Sequence, residues 1–368
     1  GSTVTIVRTV PPPPSRGSPS WGGRDPAARL SRPAPMRTAI WPRVAGITTV
    51  ATVSNRRLVV LPDWLQPPEL PGVRYSWWDG ATGDVDRPSD AVLGEAEFYV
   101  LPYMCPRDEV QRTRVMPRLQ VAQALTAGVD DMVGLVPEDV ALCAAPGVHD
   151  ASTAELAMTL ILASQRGIAE AVLDGSQGRW NHVRRRSLAD ARVVVVGWGG
   201  VGRALGRRLD GFGVHLAPVA RAARPGIHGI EDLDGLLGDA DVVVVAVPLS
   251  PGTRGLFDAR RRARMPDGAL LVNVSRGAVV DTDALVAETS RGRLRAALDV
   301  TDPEPLPADH PLWRIPGVII TPHVGGDSEA FVPRAREFVA YQLRRWLRGE
   351  DLVGLVQRSQ ADGHEPAG

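Results

Sequence analysis

From Arg57 onward, short apolar runs alternate with stretches of helical spacing. The runs "RLVVLP", "RYSWWDG", "EFYVLP", "LQVAQAL" and "VALCAAP" predict five strands across residues 57–146. The segment "STAELAMTLILASQ" then opens on a capping box, Ser152 with Glu155 three positions on. It is apolar nearly all round, which predicts a buried helix, and with 14 residues and Glu155 inside it is too short and too charged to span a bilayer. Six more runs come next: "VVVVG", "VHLAPVA", "DVVVVAVP", "ALLVNVS", "RAALDV" and "GVIITP". Most are continuous rather than alternating, as expected of a parallel sheet covered on both faces. Six strands separated by helix-length segments fit a doubly wound sheet of the dinucleotide-binding kind. A last amphipathic stretch puts Phe331, Ala335, Phe338, Val339, Leu343, Trp346 and Leu347 on one face. It comes after the second sheet closes and is expected to return to pack on the first.

Residues 1–55 break this pattern. "VPPPPSRGSPSWGGRDPAARLSRPAP" is rich in Pro, Gly, Ser and Arg and cannot bury a core, so a disordered N-terminal extension is expected. "PPPP" could also be a polyproline ligand. The stretch after Met36 imitates a signal peptide, but Pro42 and Arg43 interrupt its apolar part, so it is not read as one. The 368 residues suggest two to three domains. A formal net charge of zero gives no electrostatic footprint for nucleic acid or an anionic membrane. Two cysteines, Cys105 and Cys143, without a C-x-x-C, argue against a disulfide framework or a zinc ribbon and suit a reducing cytoplasm; no metal site is expected. All 42 basic residues are arginine, which removes Schiff-base lysines, a Walker lysine and a Tyr/Lys catalytic pair.

The most suggestive motif is "VVVVGWGGVGRALGRRL", a strand, then G-x-G-x-x-G, then a helix. Gly197 would allow the tight turn, Gly199 the approach of a pyrophosphate, and Gly202 close helix–strand packing. N–H groups at the helix start would bind phosphates, and the bare alternative is a tight turn. Gly200 and Val201 in the same loop, Pro248, Val274 and Ser275 are also expected to touch the cofactor. The usual acid after the second strand is missing; Ala220 stands there, followed by Arg221 and Arg224. Two guanidinium groups at that edge could pair with a 2′-phosphate, so NADP is favoured over NAD. Both could also be solvated surface arginines.

Ligands of open α/β sheets bind at the carboxyl ends of the strands. Arg276 follows "LLVNVS", Glu304 follows "RAALDV", and His323 follows "GVIITP". The set suits reduction of a 2-keto acid. The arginine would clamp the carboxylate in a fork, and the histidine would protonate the forming alkoxide. The carboxylate would raise the histidine's pKa. Singly, each has a plainer reading: a solvated loop arginine, a surface glutamate between prolines, a strand cap. His149 and His310 compete for the acid role but lack an arginine and a carboxylate in matching positions.

"VNVSRGAVVDTDAL", "LDVTDPEPL", "HPLW", "TPHVGG", "TAGVDDM" and "APGVHDASTAEL" together resemble the D-isomer-specific 2-hydroxyacid dehydrogenases over roughly residues 57–350. The resemblance implies two doubly wound parallel-sheet α/β domains. A Rossmann dinucleotide-binding domain (156–322) would be inserted in a discontinuous flavodoxin-like substrate domain (56–155 and 323–352), with a flexible tail at 353–368. It implies the Arg276, Glu304 and His323 roles argued above. It also places Asp299 on the nicotinamide carboxamide, Thr153 near the nicotinamide, and Ala127-Gly128 on the substrate carboxylate, and it implies a homodimer. Members of the family reduce glyoxylate, hydroxypyruvate or longer keto acids, and others oxidise phosphoglycerate. A phosphorylated substrate calls for cations after the third strand; "LPYMCPRDE" has Tyr103, a candidate substrate contact, and Met104 there. A small unphosphorylated 2-keto acid is therefore expected. The alternatives are a phosphoglycerate dehydrogenase-type activity, or a non-enzymatic dinucleotide-sensing scaffold on the same fold.

Overall fold

The structure is a computed structural model and describes residues 56–78 and 88–357. The extension expected at 1–55 lies outside the described residues, as does 358–368. The first sheet is built from β1 (Arg57–Pro62), β2 (Val73–Trp78), β3 (Ala96–Val100), β4 (Val121–Gln123) and β5 (Ala141–Cys143), with short helices α1 (Asp90–Leu93) and α2 (Arg107–Gln111) between them. Helices α3 (Asp150–Arg166) and α4 (Ile168–Ser176) lead to the second sheet. That sheet is made of β6 (Arg192–Val196), β7 (His215–Val219), β8 (Val242–Val245), β9 (Leu270–Asn273), β10 (Arg295–Leu298) and β11 (Val318–Ile320). Its described helices are α5 (Gly200–Leu209), α6 (Leu233–Leu236), α7 (Ala259–Arg264) and α8 (Thr282–Ser290); α9 (Phe331–Arg348) and β12 (Leu355–Gln357) close the described chain.

The first sheet runs β12-β5-β4-β3-β1-β2, parallel except for β12. Its five parallel strands thus follow the flavodoxin order 2-1-3-4-5. The second runs β11-β10-β9-β8-β6-β7, parallel throughout. A single parallel bridge from Val219 to His228 stands where the third strand of the usual 3-2-1-4-5-6 order belongs. The continuous apolar runs follow from burial on both faces. Val194 and Val196 join one core with Val243, Val245 and Leu271, while Val193 and Val195 join another with Val242, Val244 and Leu270. As expected, α9 lays Phe331, Ala335, Val339, Leu343 and Trp346 into the core of the first sheet.

Two expectations need correction. Ser152 is not an N-cap: the helix begins at Asp150 after His149, and the Ser152 hydroxyl pairs with that of Ser328 at 2.7 Å. Nor is the chain loose from residue 353, because β12 pairs antiparallel with β5 and Ala144 N–H donates to Gly354 O at 2.8 Å. No single described helix is long and apolar enough to cross a membrane. The α3–α4 pair passes that test only as two helices bent by 64°, and Ala154, Ala157, Leu160 and Ile161 of α3 are buried in the second sheet's core.

Candidate active site

The turns after β9, β10 and β11 bring the expected trio to one place. Asn273, at the end of β9, is buried and shapes the arginine's turn: its Oδ1 accepts from Ser275 N–H (3.1 Å) and Oγ–H (2.8 Å), and its Nδ2–H donates to Arg276 O (2.9 Å). Val274 and Ser275 are both buried in this turn. After β11, His323 Nδ1 lies 2.5 Å from Glu304 Oε1. The hydrogen bond to Glu304 raises the His323 pKa; burial and the Arg276 charge oppose it, and the Glu304 charge adds to it. Burial pushes Glu304 the other way, but the bond to His323 and its charge hold the carboxyl below its ordinary value. The pair therefore favours imidazolium–carboxylate, with Nε2 making no hydrogen bond among the described residues.

His323 sits in the left-handed region at φ 53°. A non-glycine residue there costs about 1–3 kcal/mol and persists only where its surroundings fix it. Asp299 does the fixing. His323 N–H donates to Asp299 O (2.8 Å); Asp299 Oδ1 accepts from Thr321 Oγ1–H (2.6 Å) and Val324 N–H (2.9 Å), and Oδ2 from Gly325 N–H (2.8 Å). Thr153, in the first turn of α3, reaches the same spot: a Cβ on Gly325 would lie 2.8 Å from Asp299 Oδ2 and 3.4 Å from Thr153 Cγ2.

The turn after β4 closes the other side. A Cβ on Gly128 would fall 1.9 Å from Arg276 Nη2, so only glycine admits the guanidinium here. Arg276 Nε pairs with Asp130 Oδ1 at 3.2 Å and Nη1–H donates to Ser275 O at 2.9 Å. Ala127 is exposed beside it, and Thr126 Oγ1–H donates to Gly128 O at 2.8 Å. Tyr103, after β3, packs tilted against Phe331 (ring centroids 4.4 Å apart) and His149 (5.4 Å), and burial with the charges of Asp327 and Asp299 pushes its hydroxyl up to about 12. The two competing histidines are structural. His149 is buried with Nε2 2.8 Å from Leu125 O and Nδ1 3.0 Å from Gly326 O, and His310 accepts from Leu312 N–H at 3.3 Å.

The glycine loop fits a dinucleotide. Gly197 takes φ 108°, and a Cβ on it would lie 2.2 Å from Ala246 O. A Cβ on Gly202 would meet Gly197 O at 1.9 Å, whereas one on Gly199 would meet nothing within 4 Å and would fill the opening ahead of α5. Val201 packs on the second of the two cores flanking this sheet. Pro248, after β8, is exposed, and its carbonyl accepts from Thr253 Oγ1–H at 2.6 Å. Arg221 and Arg224 are exposed after β7, without an ion-pair partner among the described residues. Asp130, Asn273 and the loop-holding bonds of Asp299 carry no signal in the sequence.

Residues 158–325 match the family model described as D-isomer specific 2-hydroxyacid dehydrogenase, NAD binding domain. The chain is 32% identical over 248 residues to a human protein named glyoxylate reductase/hydroxypyruvate reductase, covering 64% of this chain and 76% of that one. It is 32% identical over 261 residues to a Methanocaldococcus jannaschii protein named D-3-phosphoglycerate dehydrogenase, covering 68% of this chain but spanning only 49% of that longer relative. Among solved structures, a D-isomer specific 2-hydroxyacid dehydrogenase from Xanthobacter autotrophicus Py2, in complex with NADPH and MES, superposes with a TM-score of 0.68 at 30% identity over 82% of this chain and 98% of that one.

Proposed function

Because this chain belongs to the D-isomer-specific 2-hydroxyacid dehydrogenase family and is an NAD(P)-dependent oxidoreductase, we propose that it reduces a small unphosphorylated 2-keto acid, glyoxylate or hydroxypyruvate first, to the D-2-hydroxy acid. The observation that carries the reading is the His323–Glu304 pair beside an Arg276 guanidinium that touches Gly128. Arg276 and the Ala127-Gly128 turn bind the substrate carboxylate, and the guanidinium polarises the neighbouring carbonyl. The reduced nicotinamide supplies the hydride. His323 Nε2–H gives its proton to the carbonyl oxygen as negative charge develops there, and Glu304 keeps that proton available near neutral pH. Asp299 holds His323 in position and, with Thr153, borders the space for the nicotinamide.

The turn after β3 disfavours a phosphorylated substrate. Tyr103 and Met104 occupy it, and the nearby Arg107 is turned to Asp131 O at 3.5 Å. NADP is favoured because Ala220 cannot repel a 2′-phosphate and Arg221 and Arg224 stand exposed beside it. A homodimer is favoured by exposed apolar side chains on and just after α4, Ile168, Val172, Leu173 and Trp180, the last 97% exposed. The test is NAD(P)H absorbance loss with a panel of keto acids. Turnover of glyoxylate or hydroxypyruvate supports the reading; turnover of none, or of phosphorylated acids alone, overturns it. Light scattering of the wild type and Trp180→Ser reads the dimer, and a monomeric wild type rejects it.

A further inference from the structure

Gly200 is the one glycine of the loop whose side-chain space is taken by a carboxylate from another element. A Cβ there would lie 1.8 Å from Oδ2, 2.3 Å from Cγ and 2.5 Å from Oδ1 of Asp150. Cα–Cβ bonds in a helix tilt toward its N-terminus. Gly200 opens α5, so the Asp150 carboxylate lies at the N-terminal rim of that helix, next to the opening at Gly199. Asp150 also opens α3, so its charge is favourable at two helix starts. The same placement puts a negative charge at the entrance of the space where a pyrophosphate is expected. This step rests on reading the glycine loop as the pyrophosphate cradle.

We propose that Asp150 is a proton-linked gate on cofactor binding: ionised, it occupies the phosphate end of α5 and opposes the dinucleotide; protonated, it lets the pyrophosphate in. Groups from each packed element face it. Arg203 and Arg207 of α5 and His149 favour its charge, and Gly147 N–H hydrogen-bonds it. Arg208 of the same helix is occupied at Ala151 O, 3.2 Å away. Burial outweighs them all and raises the carboxyl's pKa. A pyrophosphate arriving beside it raises that pKa further, so binding takes up a proton. An acid gate has a direction: cofactor affinity falls as pH rises through the Asp150 titration.

The test compares the full chain with Asp150→Asn, titrating NADPH and NADH by fluorescence at about pH 8 and at the lowest pH at which the fold persists, since the carboxyl titrates above its ordinary value of about 4. At the higher pH, Asp150→Asn should bind about tenfold tighter than wild type, since removing one like charge at about 4 Å is worth roughly fivefold at the dielectric of water and more at this partly buried site. At the lower pH the two should converge. Calorimetry in buffers of different ionisation enthalpy should show proton uptake in the wild type that the variant lacks. The 2′-phosphate of NADPH titrates alike with both proteins, so the difference between them cancels it. If the amide disturbs the start of α3, Asp150→Ser keeps a helix-starting oxygen without the charge and should behave alike. Identical pH dependence in wild type and variants, or weaker binding by both variants at both pH values, would overturn the gate. Failure of all three proteins to bind either dinucleotide would instead overturn the cradle reading beneath it.

Discussion

Asp299→Asn isolates the carboxylate that holds His323, the proposed proton donor. Both oxygens accept: Oδ1 from Thr321 and Val324, Oδ2 from Gly325. An amide replaces one acceptor by an NH2 that can only donate. Whichever way it is turned, at least one backbone N–H facing this buried group loses its partner, which costs about 1–3 kcal/mol, and the remaining bonds lose their charge assistance. The left-handed conformation of His323 costs about as much, roughly 1–3 kcal/mol, so the loss is large enough to release it. If the released loop must be restored before each proton transfer, kcat falls about tenfold to a hundredfold, at ~1.4 kcal/mol per decade. The melting temperature should drop by roughly 2–4 °C per kcal/mol. Steady-state kinetics and thermal unfolding of one preparation decide between roles. A residue that only bound the nicotinamide carboxamide would raise KM for the cofactor and leave kcat and melting intact. Wild-type kcat and melting in Asp299→Asn would refute the holding role.

Glu304→Gln removes the main cause of the raised His323 pKa. Reduction needs the imidazolium, so wild-type activity is lost as pH rises through the raised value, and the variant should lose it at lower pH; an unshifted alkaline limb in kcat/KM against pH removes Glu304 from the mechanism. Arg276→Lys should lower kcat/KM for the best keto acid by about tenfold or more, because an ammonium lacks the planar fork and a charged contact is worth about 1.5–3 kcal/mol; wild-type kcat/KM would reject the clamp. Arg221→Ala should raise KM for NADPH by about tenfold and leave NADH nearly unchanged, on the same contact energy. A wild-type kcat/KM higher with NADH would sink the NADP preference whatever the variant does.

All eleven strands expected from the apolar runs are present; the central ones, such as β3, β8 and β9, are buried on both faces, so they are nearly apolar throughout and stand out without any period. β12 is hidden from such a reading: it is three residues long, lies at a sheet edge, and alternates too briefly to register. The trio is legible for a topological reason. A parallel sheet delivers the turn after each strand to one edge, so Arg276, Glu304 and His323 can be grouped from strand positions alone. The capping box at Ser152 misleads because its sequence pattern is local, whereas the hydroxyl is claimed by Ser328 from the far end of the chain.

The residues hidden in the sequence share that non-local character. Asp130 on Arg276, and the bonds by which Asp299 holds the turn after β11, join groups from different elements, and no spacing encodes such a meeting. Within a G-x-G-G-x-G run Gly200 reads as one more cradle glycine, yet its missing Cβ is the seat of a carboxylate from α3. Gly128 is similar: it makes room for Arg276, not for a turn. Arg276 itself is not a free cation waiting for an anion, because Asp130 already holds its Nε at 3.2 Å. In the proposed clamp, a substrate carboxylate must therefore share or displace that partner. The fork allows sharing, with Asp130 on Nε and the substrate on the Nη edge beside Gly128, and Asp130 then aims the clamp. A lysine, with one nitrogen, would have to choose between them, which is a second reason why Arg276→Lys should fail.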